Sequence, residues 1–190
     1  YLLICNNIQQ SIQKTREITE AQVDEYLSQA DKFVEHMIDD VYSDLLLVSE
    51  SEEFSEYLGD PVAYKTDVQN FFCSIVTYNE HYRQLRFIGS DGYEKIEVDN
   101  EETITIVSDE DLQYKGNEDY FTDAIALSPG VLLISSLDLR TENGMMVVPC
   151  EPVIHFAIPV EDDGVTIGII VINYDGINAT YGAYTPSITV

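Results

Sequence analysis

The apolar positions of the chain change their spacing near residue 80, and that change divides it. Before it, Ile8, Ile12, Val23, Leu27, Ala30, Val34, Met37, Val41, Leu45 and Val48 recur at steps near three and four, with charges between them. This is the pattern of a helix with one apolar face. It predicts a single helix over residues 9–58, ended by Leu58-Gly59-Asp60-Pro61, where glycine suits a left-handed cap and proline the position beyond. At 1.5 Å per residue such a helix is roughly 75 Å long. That exceeds a domain of this size, so part of it is expected to project as a stalk or to break; heptad-like spacing predicts that a projecting part pairs with another helix, while the later half lies on its own domain. A second helix is predicted over 62–78, with Val68, Phe71, Phe72, Ile75 and Val76 facing inward.

Beyond residue 80 the period falls to two. Runs at 82–88 and 93–98 flank Gly89-Ser90-Asp91-Gly92 and read as a β-hairpin. A short strand follows at 103–107, then a mostly helical segment over 109–127, interrupted near Gly116 and halted by Ser128-Pro129-Gly130. Further strands are predicted at 131–139, 153–160 and 165–174, and the tail from Asp175 has no period. Helices segregated from an antiparallel sheet make the fold class α+β.

Because side chains alternate across a sheet, each strand separates into two faces. Ile154, Phe156, Ile158 and Val160 form an apolar core face, while Val153, His155, Ala157 and Pro159 are smaller and more polar. Leu132, Ile134, Ser136, Asp138 and Arg140 share one face of the preceding strand; Leu133, Ser135, Leu137 and Leu139 share the other. A four-residue turn, Glu161-Asp162-Asp163-Gly164, sets Ala157 opposite Gly168 and His155 opposite Ile170. The small pair would leave space above the sheet beside a histidine, an aspartate and a serine, the makeup of a small-molecule site.

Charge removes some function classes. The 190 residues carry 35 acidic and 9 basic side chains, a formal net charge of −26, which repels phosphate backbones and argues against nucleic acid as a partner. No apolar run approaches the roughly 20 residues of a membrane helix, although YLLIC at the start leaves open the trailing end of one. Three widely spaced cysteines, Cys5, Cys73 and Cys150, form neither a disulfide framework nor a zinc site. Cys73 is read as a small core residue, with a Cys73–Cys150 bridge left open. No nucleophile elbow, phosphate loop or metal motif occurs, so the chain is read as non-enzymatic, with no metal and no cofactor.

Several ordered stretches carry a resemblance: RFIGSDGYEKIEV, LQYKGNEDYF, LLISSLDLRTENGMMVVPCEPVIHFAIPV and IGIIVINYDG. Together they resemble the Cache (PDC, PAS-like) sensor domains of prokaryotic histidine kinases and chemoreceptors. The resemblance implies a long N-terminal helix, then a five-stranded antiparallel sheet whose first strand lies between the second and fifth. It also implies a helical crossover and a ligand cavity between crossover and sheet. Residues 1–60 would be the stalk helix, 61–176 the sensor module and 177–190 a tail or the start of a membrane-proximal segment. Transferred residue by residue, it marks Tyr120, Asp138, His155, Ser136, Tyr114 and Arg86 as ligand-binding candidates. The family often has arginine where this chain has Glu97, Asn117-Glu118-Asp119 and His155, which shifts the expected ligand from a carboxylate towards a neutral or cationic molecule. The implied setting is the extracytoplasmic face of the membrane, with a homodimer formed through the long helix and anchoring by segments outside this chain. The competing reading is a dimerisation or protein-interaction module without a ligand.

Overall fold

The computed structural model describes residues 2–101, 103–142 and 144–184. It separates into two compact units, one built from residues up to Met37 and from Ala179 onward, the other from Ile38–Asn178. Helix α1 runs Leu2–Ser49. Before Ile38 it is exposed almost throughout, Ile12, Val23, Leu27 and Val34 included. From Ile38 on it turns Val41, Leu45 and Val48 into the core of the second unit.

The helical run to residue 58 breaks, one of the outcomes its length allowed. After Ser49 the chain restarts as α2, Glu52–Gly59, because the Ser51 hydroxyl accepts from the Phe54 amide and so caps a new helix. Gly59 is the last residue of α2 and is absent from the left-handed positions of the chain. The stop is Asp60, whose carboxylate accepts from Val62 N and Ala63 N and caps α3, Pro61–Tyr78.

The strands are β1 (Tyr82–Gly89), β2 (Glu94–Asn100), β3 (Ile104–Ile106), β4 (Leu133–Ile134), β5 (Asp138–Leu139), β6 (Thr141–Glu142), β7 (Met145–Met146), β8 (Pro152–Asp162) and β9 (Val165–Asp175). The main sheet has the order β3-β2-β1-β9-β8-β4, with β5 also on β8, so β1 lies between β2 and β9 as expected. All its pairings are antiparallel. The fold is α+β.

Local structure departs from the sequence reading in three places. Helix α4 covers only Asp119–Ile125. The preceding polar segment instead bonds to the start of β2, with Glu94 N donating to Gln113 O and Lys115 N to Gly92 O. The predicted strand at 131–139 divides into β4 and β5. The tail, which shows no period in sequence, forms α5, Gly176–Tyr184, capped by the Asp175 carboxylate accepting from Ile177 N and Asn178 N; residues from 185 on lie outside the described residues, as does Tyr1. Cys73 is half-buried, Cys150 is exposed, and both are free thiols. The side chains of Cys5 and Ile8 lie outside the described residues.

The β8–β9 register also differs from expectation. Its turn has two residues, Asp163 at φ 48° and Gly164 at φ 78°, the twist-matched form that Asp-Gly favours. A bulge beside Val160 shifts the pairing further. Ala157 therefore faces Val171, His155 faces Asn173, and Gly168 pairs with Val160.

Candidate functional site

Register now assigns the two faces. Phe156, Ile172, Leu85 and Val98 align across four strands, as do Ile158, Ile170, Phe87 and Ile96. All are apolar and buried, and Phe54 of α2 meets Phe87 edge-on at 5.0 Å while lying 6.4 Å from Phe72 of α3. The opposite face is graded. Pro159, Ile169 and Ile88 form its apolar end; next come Ala157, Val171, Arg86 and Glu97; then His155, Asn173, Gln84 and Asp99.

Helix α4 covers the apolar end, where Tyr120, Phe121 and Ala124 pack on Ile88, Ala157, Ile169 and Val171. The space expected above Ala157 is thus filled by the crossover, and the small side chain is what lets α4 approach. Gly168 opens no space either: a Cβ there would stand 2.3 Å from Ile88 O.

A cavity of about 230 Å³ remains at the polar end. Arg86, Asn173 and His155 supply its sheet side, Lys115 to Tyr120 its crossover side, and Ser135 to Thr141 its outer wall. Of the six candidate residues, Arg86, Tyr120, Ser136, Asp138 and His155 line it together. Tyr114 does not. Its ring meets that of Tyr93 at 4.9 Å with the planes tilted by 59°, and it lines a neighbouring acidic cleft with Glu97, Asp99, Glu110 and Asp111. Ser135, assigned to the opposite face by strict alternation, lines the cavity beside Ser136 because the strand breaks between β4 and β5.

The cations around the cavity are matched by protein acids. Arg86 bonds Glu94 at 3.1 Å and Asn173 at 2.8 Å. Lys115 donates to Gln113 and lies 3.9 Å from Glu94. Arg140 reaches Asp99, Glu101 and Glu151. Gln84 continues the network, accepting from Asn173 and donating to Glu97 and Asp99. At the rim stand Glu118, Asp119 and Asp138. Asp138 accepts from the Leu139 amide at 2.7 Å.

Tyr120 contacts two other residues of the cavity. Its ring stacks on His155, with centroids 4.2 Å apart and planes 9° from parallel, and the Arg86 guanidinium carbon lies 5.7 Å from its centroid. Tyr120 is 8% exposed, and its buried hydroxyl has no hydrogen-bond partner in the protein. Burial, opposed by Arg86 and reinforced by Glu94, pushes its pKa up to about 12, so it remains a hydroxyl donor. His155 is driven down to about 3 by burial and by Arg86 and Lys115. It is a neutral ring at physiological pH, with Nδ1 3.3 Å from Ser135 Oγ.

Sequence reading missed Asn173 and Lys115; it placed Arg140 on the polar strand end beside Ser136 and Asp138 without naming it a site residue. Asn173 had a visible signal, as the polar residue inside the apolar run Ile169–Tyr174. No pattern marks Lys115, which reaches the cavity from an irregular segment. Among the described residues no group of histidine, cysteine and acid side chains could hold a metal ion, and no helix is long and apolar enough to cross a membrane.

Comparisons place this geometry. The solved domain of a sensory box/GGDEF family protein from Vibrio parahaemolyticus is similar with TM-score 0.77 and 23% identity, over 84% of this chain and 61% of that one. The extracellular domain assigned to histidine kinase vpHK1S-Z8 gives 0.79 and 22%, over 90% and 62%. The V. cholerae histidine kinase DctB sensor domain gives 0.53 and 17%, over 88% and 61%. At these identities the likeness concerns the fold, and the chain spans about three fifths of each of those structures. No curated protein matches the chain in sequence. The family model described as the bacterial histidine kinase sensor domain matches residues 17–184, and the chain belongs to that family.

Proposed function

We propose that the cavity between α4 and the sheet binds a small polar molecule bearing an amine, and that the domain senses it for a receptor at the extracytoplasmic face of the cell membrane. The observation that carries this reading is the Tyr120 hydroxyl, a buried donor at the cavity with no partner in the protein. Such a group costs free energy unless an entering molecule hydrogen-bonds it, and its oxygen can accept from an ammonium group. The amine follows from charge: the cations at the cavity have protein partners, whereas Glu118, Asp119 and Asp138 stand at its mouth in a strongly acidic chain. An ammonium group is matched to that rim.

Thermal unfolding against small amines, neutral polyols and carboxylic acids tests this. A bound amine at a hundredfold excess over its dissociation constant stabilises by about 2.7 kcal/mol, or roughly 5–10 °C for a domain of this size. Asp138→Asn and Tyr120→Phe should each cut that shift. Tyr120→Phe should leave the free protein as stable as before or slightly more so, because it removes a hydroxyl the protein does not satisfy. A panel giving no shift, or a shift indifferent to both substitutions, rejects the reading.

The exposed stripe of α1 favours a second, compatible reading. Ile12, Val23, Leu27 and Val34 are 37–64% exposed at near-heptad spacing, and pairing with the same stripe of a second copy would cover them. In sedimentation, the chain should run as a dimer and become monomeric once residues up to 29 are removed. A dimer that survives the removal would locate pairing elsewhere, and a monomeric intact chain would end this reading.

A further inference from the structure

Helix α1 is tied to both walls of the cavity from opposite sides of its buried stripe. Val41, Leu45 and Val48 form that stripe. At 3.6 residues per turn, Tyr42 and Asp44 are about 200° apart and flank it on either side. The Asp44 carboxylate accepts from the Tyr82 hydroxyl at 2.6 Å and from Asn79 Nδ2 at 3.2 Å. Tyr82 begins β1, the strand that carries Arg86 into the cavity. The Tyr42 hydroxyl donates at 2.7 Å to Gly130 O, in the segment joining α4, which holds Tyr120, to β4, which leads into Ser135 and Ser136. One tether grips the sheet and the other grips the crossover.

We infer that the 38–49 segment of α1 reads the separation of the two cavity walls as a turn about its own axis, with Asp44 as the fixed side and Tyr42 as the moving side. A pull at one flank and a hold at the other make a couple rather than a simple displacement. A ligand preferring one wall separation would then bias the helix by its differential affinity and by no more than that. The inference rests on the ligand-binding reading for its cause, while the mechanical link is testable without any ligand.

Hydrogen exchange of peptides covering 38–49 and 128–136 separates the two. Ser135→Ala removes the hydroxyl that accepts from His155 N at 2.9 Å, and Tyr120→Ala removes the stacked ring; either should loosen the outer wall and quicken exchange in 128–136. The linkage requires a severalfold quickening in 38–49 as well, and adding Tyr42→Phe should abolish that second response while leaving the first. A response in 38–49 that is absent, or that persists unchanged with Tyr42→Phe, overturns the inference. With putrescine as the probe amine, protection should appear in both peptides, and Tyr42→Phe should confine it to 128–136. Protection of 128–136 alone in the unmodified chain overturns the linkage and leaves binding standing. No protection by putrescine, with the substitution responses intact, counts against the amine reading and leaves the linkage standing.

Discussion

Replacing Arg86 with methionine should destabilise the domain by about 3–5 kcal/mol, the largest loss expected from any single change at the cavity. The Arg86 and Glu94 side chains are 3% and 0% exposed and meet at 3.1 Å. Removing the cation leaves a carboxylate in a place where water cannot solvate it, with Lys115 at 3.9 Å as the nearest remaining positive group. The cost comes from the stranded charge and exceeds what the intact pair contributes. The double substitution Arg86→Met with Glu94→Gln distinguishes these, since glutamine can still accept from Gln113 N, which Glu94 now does at 2.7 Å, while carrying no charge. Urea denaturation should show the double variant markedly more stable than the sum of the two single losses predicts. Simple additivity would mean that the pair is not what Arg86 is held by. The expected fall in melting temperature for the single change is roughly 6–20 °C.

That buried pair also shows where sequence reading stopped. Arg86 was a candidate through the family resemblance, either for a ligand or as an internal partner of a carboxylate, but which carboxylate was not identifiable. Glu94 comes opposite Ile88, on the cavity face, only through the irregularity after Phe87, and no pattern in the residues announces it. The two faces of β8 were legible from alternation alone, since period two is fixed by strand geometry. Their register was not. It depends on the two-residue Asp163-Gly164 turn, which moves the pairing by two residues, and on a bulge beside Val160, which moves it by one more. The same limit put Ala157 against an imagined void, although the crossover helix that fills it was part of the predicted fold. Tyr120, Asp138 and His155 converge because α4, the segment after β4 and strand β8 all border one end of the sheet. Lys115 joins them from irregular chain, where position is set by tertiary bonds and local periodicity is silent.

Acid should unfold this domain partly through a single histidine. His155 has a pKa near 3 in the folded chain, held down by burial and by Arg86 and Lys115, against about 6.5 once unfolded. Between those values the unfolded chain carries a proton that the folded chain does not, so stability rises with pH across that window. The contribution is complete above about pH 6.5 and is lost progressively as pH falls towards 3. At pH 4 the penalty is about 3 kcal/mol, at 1.36 kcal/mol per unit. Many carboxylates titrate in the same range, so the decisive quantity is the difference in slope between the unmodified chain and His155→Gln, which has no proton to gain. Denaturation midpoints from pH 7 to pH 4 should fall more steeply with histidine than with glutamine; parallel curves would mean that the ring is protonated or hydrated in the folded state. Above pH 6.5 the two slopes should coincide. A neutral imidazole there keeps the Tyr120 ring stacked without adding a positive charge, which leaves the acidic rim as the feature an incoming ammonium group meets.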